Sequence, residues 1–244
     1  MRRLLSSVLT IAAVSCTDIP SNGQVIISLL LGDKLNTGKI EFGLDGGLNY
    51  PAIRGVDGDK MRGAFNIGFY FDIKTKHPDW MFSTGVLVKS SLGTSGLVPY
   101  ALGNPELDNV FADGELQRKI NYFNVPIGMK YKITDAIFVQ GAIVPSLRAK
   151  AFDIFEADRE GEITYKRDIR SEIHKLDFGL MAGVGYRLMG GNGVNLTVRY
   201  YYGLVDVVID DTSPDQFNES LYLAVGIPIG AGKAREREAK KNQN

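Results

Sequence analysis

Cysteine is nearly missing from this chain: Cys16 is the only one among 244 residues. That excludes an internal disulfide framework and a cysteine-based zinc cluster. Histidine is almost as scarce, with only His77 and His174. No apolar run reaches the ~18 residues of a transmembrane helix. An excess of either charge is lacking too. The 28 basic residues match the 28 acidic ones, so bulk charge gives no footprint for nucleic acid.

What is there begins with an export signal. Arg2 and Arg3 precede the short apolar run LLSSVLTIAAVS (4–15), the layout of a secretory signal peptide. Ser21 and Gly23 offer small residues for cleavage before Gln24, making 1–23 the signal. AVSC offers an alternative, lipidation of Cys16, although Ala13 stands where a larger aliphatic residue is preferred.

Downstream, the chain alternates. In KIEFGLDGGLNY (39–50), Ile40, Phe42, Leu44, Leu48 and Tyr50 interleave with Lys39, Glu41, Asp45 and Asn49. A period of two puts apolar and polar side chains on opposite faces of a strand. The pattern returns at 64–74, 80–89, 120–133, 136–150, 175–188, 194–204 and 220–230. A soluble sandwich and a membrane barrel both alternate this way. Three features favour the barrel. The strands run about ten residues or more, where a tilted membrane-spanning strand needs about 9–11. Their number is even, and their connections alternate long (51–62, 90–118, 151–172, 205–217) with short (75–79, 134–135, 190–193). The predicted fold is therefore all-β, an eight-stranded antiparallel up-and-down transmembrane β-barrel over 38–230, with both termini periplasmic. Pro126, Pro145 and Pro228 then mark bulges or strand ends. Residues 24–37 extend the first strand or form an N-terminal periplasmic segment, and 231–244 are a charged periplasmic tail.

In such a barrel the apolar face meets outer-membrane lipid. Trp80, Tyr131 and Tyr186 fall beside short turns and Tyr50 and Tyr202 near long loops, the places of two aromatic girdles. The polar face lines the lumen with Glu41, Asp45, Asp72, Lys89, Lys130, Lys132, Arg148, Lys175, Asp177, Arg187 and Arg199. An eight-stranded barrel is just wide enough for side chains to fill. Charges of both signs there read as a paired plug, since an unpaired buried charge costs several kcal/mol. A narrow ion path is the weaker reading.

Catalytic groupings are sparse. His174 lies near Glu172 and Asp177 at a rim where a lipid-modifying site would sit, but no serine is tied to it by spacing. No catalytic residue, metal or cofactor is expected. The acidic stretch 208–215 has the oxygen ligands of a calcium loop without an EF-hand's periodicity, so a solvated loop is expected. Leu97, Val98, Tyr100, Leu102 and Phe111 in the longest loop suit folding over the mouth or meeting a protein.

The stretches QVIISLLLGDKLNTGKIEFGLDGGLNY (24–50) and INYFNVPIGMKYKI (120–133) resemble the PorT-family outer-membrane β-barrel proteins of Bacteroidetes. The resemblance spans nearly the whole mature chain. It implies a barrel without enzymatic function, in a family whose namesake serves type IX secretion. The expected role is a structural or secretion-associated component acting through loops or the periplasmic face. The alternative is a surface-binding protein or adhesin using loops 90–118 and 151–172. Lipid and a protein partner are the expected contacts.

Overall fold

The computed structural model describes residues 39–58, 62–158, 161–191, 193–210 and 214–229. The expectations for the signal, Cys16, residues 24–37 and the charged tail lie outside them. Among the described residues there are ten strands: β1 (Ile40–Arg54), β2 (Ala64–Lys74), β3 (Trp80–Leu97), β4 (Glu115–Asn124), β5 (Ile127–Lys132), β6 (Ile137–Asp158), β7 (Glu162–Asp168), β8 (Leu176–Arg187), β9 (Asn195–Asp206) and β10 (Phe217–Pro228). A short helix, α1 (Pro105–Phe111), precedes β4.

The strands make eight staves. β4 and β5 form one stave, interrupted at Val125–Pro126, because β3 and β6 pair with both of them. Pro145 on β6 faces that gap. Its carbonyl accepts from Val125 N at 3.0 Å. N–H and C=O of one strand residue point the same way, so its missing N–H costs no ladder bond where the ladder is already broken. All staves are antiparallel to their neighbours, and β1 closes the ring on β10 from Gly43↔Pro228 to Arg54↔Phe217. The chain is an eight-stranded up-and-down transmembrane barrel. β7 stands outside the ring, paired with the far end of β6.

Burial decides between sandwich and barrel. In β9 the inward residues Asn195, Thr197, Arg199 and Tyr201 are buried, while Leu196, Val198, Tyr200 and Tyr202 are exposed. The same inversion runs around the ring, with Leu48, Phe65, Leu180, Val184 and Ile227 each 48–50% exposed. A continuous apolar outer band of this kind suits hydrocarbon and not water.

Two bulges shift the alternation. The β3 ladder slips at Val88–Lys89, against both β2 and β4. This corrects the lumen placement of Lys89, which is exposed on the outside beside Val88. The β6 ladder slips at Ala149, so that Ala151, Asp153 and Phe155 become the buried set beyond it.

The largest correction concerns the long loops. β3 continues to Leu97, β6 to Asp158, and β7 pairs with β6. Much of 90–118 and 151–172 is thus strand, rising past the apolar band as a crown. Ser90, Ser91, Leu92, Gly93, Thr94 and Ser95 are buried in succession. A strand covered on both faces does not alternate, so this one left no period-2 signal. The crown carries its own core of Phe111, Leu116 and Phe155, with Leu97, Leu102 and Val110 packed on it. Val98, by contrast, is 83% exposed.

Candidate functional site

The lumen is filled in layers. Nearest the short turns, Glu41 pairs with Arg187 and also accepts from Tyr70 OH at 3.1 Å. Asp72 takes Lys130 at 2.8 Å and Ser83 Oγ at 2.7 Å. Arg199 pairs with Asp45, and its Nε donates to Thr197 Oγ1 at 3.1 Å. One layer on, Asp177 accepts from Tyr201 OH and Asn218 Nδ2, both at 3.0 Å, and from Phe178 N at 2.8 Å. Tyr222 and Ser90 share a 2.8 Å bond across the barrel. At the long-loop end Ile169, Ile173 and Val207 close the bore against Leu92, Ile120 and Ala151, all buried. The residues expected to fold over the mouth, Leu97, Val98, Tyr100, Leu102 and Phe111, are not the ones that make this cap. Ile169, Ile173 and Val207 come from loops with no alternation to read.

Of the lumen candidates, Glu41, Asp45, Asp72, Lys130, Asp177, Arg187 and Arg199 lie inside and bond as described. Lys132 lines a vestibule of about 330 Å³ at the short-turn end, with Lys130, Arg187 and Asp135. Arg148 stands at the long-loop rim, where its guanidinium donates to the Arg170 carbonyl. Lys175 is exposed, which corrects its lumen placement: a bend follows the Ile173 bridge just before β8 begins. Tyr122, Tyr201 and Tyr222 were missed as lumen residues, although each alternates with outward neighbours (Phe123; Tyr200 and Tyr202; Leu221 and Leu223). Phenols escaped because they read as apolar.

The girdle candidates all face outward. Trp80 and Tyr131 pair across the strands with rings 4.9 Å apart, and Tyr186 is exposed near the same end. At the other end Tyr50 is half-buried, and the Arg54 guanidinium lies 3.7 Å over the Tyr202 ring.

A void of about 50 Å³ lies inside the polar layers, lined by Asp45, Tyr70, Lys130 and Arg199 among others. It holds roughly one or two waters. The described side chains and the apolar cap above them fill the bore. Planar bilayers holding the protein should therefore show no discrete conductance steps; steps of constant size would refute the filled lumen.

The crown has its own polar network. Arg118 grips Asp153 through two bonds of 2.9 Å, and Asp153 is fully buried. Tyr100 OH donates to Asp153 Oδ2 at 3.0 Å, Arg167 donates to Tyr100 at 2.6 Å, and Arg167 also forks onto Glu172. Burial, helped by the Asp153 charge, pushes the Tyr100 phenol up to about 12, so it stays a neutral donor. The hydrogen bonds from Arg62 hold Glu156 below the usual carboxylate range. These contacts tie Arg62, Tyr100, β4, β6 and β7 into one ordered surface.

His174 is exposed at this rim, and its backbone N–H donates to Val207 O at 2.8 Å. His77 lies in a short turn, where Nδ1 accepts from Asp79 N at 3.4 Å. Among the described residues no three His, Cys, Asp or Glu side chains are placed to share a metal ion. The acidic stretch 208–215 lies partly outside them.

Comparison with known proteins agrees with this architecture. A family model described as outer membrane protein beta-barrel domain matches residues 31–208. Among solved structures, the attachment invasion locus protein Ail of Yersinia pestis is 12% identical, covering 78% of this chain and 99% of its own, with a TM-score of 0.44. Neisserial surface protein A is 11% identical over 77% and 96%, with a TM-score of 0.40. The Pseudomonas putida toluene transporter TodX is 12% identical over 77% of this chain and 54% of its own, at 0.33. No curated protein matches the chain.

Proposed function

The chain belongs to the outer membrane protein beta-barrel domain family, and from that premise we propose a non-enzymatic outer-membrane protein that displays a rigid crown to bind a partner at the cell surface. The observation that carries this reading is the crown itself. β3, β4, β6 and β7 run beyond the apolar band and pack a separate aromatic core there. A lumen filled by its own side chains leaves the ends of the barrel, and not its bore, to do work. The orientation proposed is the usual one for such barrels, with short turns and both termini in the periplasm and the crown outside.

Excising residues 155–165 removes the hairpin tip with Phe155 of the crown core and shortens β6 only beyond the apolar band. Intact cells carrying that variant should lose adhesion to immobilised matrix or host-cell protein, while the barrel still assembles. Equal adhesion of variant and parent cells would sink the surface-binding reading.

The PorT resemblance supplies a second reading, a secretion-associated role at the short-turn end, where the vestibule carrying Lys132 opens. A strain without the gene would then hold exported precursors in its periplasm. An unchanged secreted-protein profile would remove that role.

A further inference from the structure

One side of the barrel carries cations that the lumen and the crown networks do not use. Lys89, Lys119 and Lys150 stand on three adjacent staves, β3, β4 and β6. The two bulges turn Lys89 and Lys150 to the outer surface, where both are exposed, and Lys119 lies on the face of β4 opposite buried Ile120. Asn121 sits directly between them, opposite Ser91 on one side and Lys150 on the other. Lys119 is two residues along β4 from Asn121, diagonal to Lys150, and Lys89 is two residues before Ser91. Lys119 and Lys150 are diagonal neighbours, about 7–8 Å apart, while Lys89 lies on the other side of the Asn121 row, level with Phe123, so the three long side chains flank Asn121 from both sides.

Among the described residues none of the three has a carboxylate partner. Asp168, in register with Phe152 opposite Lys119, is already held by Arg170 at 2.8 Å. On the far wall the equivalent cation is neutralised, since Arg54 meets Glu219 at 3.4 Å.

Their height is as telling as their charge. Immediately toward the short turns on the same staves lie Val88, Phe123 and Leu147, exposed by 40–43%, with Phe123 and Leu147 in direct register. The lysines therefore begin where the lipid-facing surface ends, at headgroup level. Their flexible stems lie along apolar surface while the ammonium reaches the interface.

We infer that Lys89, Lys119 and Lys150 form a site for the phosphate of a phosphorylated outer-leaflet glycolipid. Ammonium groups bind phosphate as point charges, and the poorly hydrated interface strengthens the attraction. Each lysine near an anionic lipid surface is worth about a fivefold gain in binding, so three give on the order of a hundredfold. The outer-leaflet source rests on the orientation proposed above.

The test uses the full chain folded in detergent micelles, with bound lipid counted by native mass spectrometry. Diphosphorylated lipid A, its dephosphorylated form and inorganic phosphate are the probes. The parent should hold diphosphorylated lipid A, and K89Q/K119Q/K150Q should bind it on the order of a hundredfold more weakly. K89R/K119R/K150R should restore it, which separates charge from any folding defect. Equal binding by parent and glutamine variant, or equal binding of both lipids, overturns the site. Tight binding of inorganic phosphate alone would overturn the lipid as its source. The orientation is read separately, by labelling V98C on intact cells with a membrane-impermeant maleimide. Labelling only after lysis, with lipid A binding retained in micelles, would overturn the orientation and the outer-leaflet source while the phosphate site stood.

Discussion

Replacing Arg199 with methionine is expected to cost about 3–5 kcal/mol of unfolding free energy, because it strands Asp45 inside the lumen. The two side chains are only 10% and 7% exposed, and they are each other's charge partner. A buried carboxylate without a cation loses its hydration and gains nothing in return. Replacing both, as D45L/R199M, removes the charge and the desolvation penalty together. The double variant should therefore lie well above the single one, near the parent or more stable by about 1–4 kcal/mol. The pair Arg54–Glu219 makes a control, since its side chains are 31% and 23% exposed and such pairs are worth about 0–1 kcal/mol. Urea titration of the chain refolded into phospholipid vesicles measures all of these. Trp80, the single tryptophan, sits in the girdle and reports insertion by its fluorescence. A double variant as unstable as the single would mean that the lumen needs this charge pair for its shape.

Gly128→Val should lose more than about 3 kcal/mol or fail to assemble. A Cβ at Gly128 would lie 2.0 Å from the Gly141 carbonyl oxygen and 2.6 Å from Ala142 Cα. Those are backbone atoms of the paired stave, so no side-chain rotation relieves the clash. β5 and β6 would have to part, and ladder groups freed within hydrocarbon find no water. Gly141 is the internal comparison. It lies on the same stave pair, opposite Met129, and a Cβ there meets nothing within 4 Å. Gly141→Val should assemble as the parent does. Heat-modifiable migration on gels distinguishes folded from unfolded barrel in both, and equal behaviour of the two variants would refute the close approach of the staves at Gly128.

Much of this molecule is written locally. Each stave has one face in hydrocarbon and one in a crowded polar bore, so its residues must alternate, and eight stretches do. The short turns announce themselves with Gly, Pro and Asp. The girdle positions follow from aromatic residues near strand ends. Where both faces of a strand are covered, as at Ser90–Ser95, alternation vanishes and the strand reads as a loop. Where a ladder slips by one residue, as at Val88–Lys89, parity points a side chain to the wrong face. A bulge is a compromise among three strands, and no single strand carries its signature.

By itself, then, the sequence determined the barrel, its number of staves, and which residue types face in and out, because a period of two is a property of neighbouring residues. Only the tertiary structure decided which charges meet. Asp45 finds Arg199 at a separation of 154 residues, and Asp72 finds Lys130 at 58. It alone decided that apolar loop residues cap the bore and that β3, β4, β6 and β7 rise into a crown. Those outcomes depend on strand register and ring closure, which place residues far apart in the chain at one height and on one face.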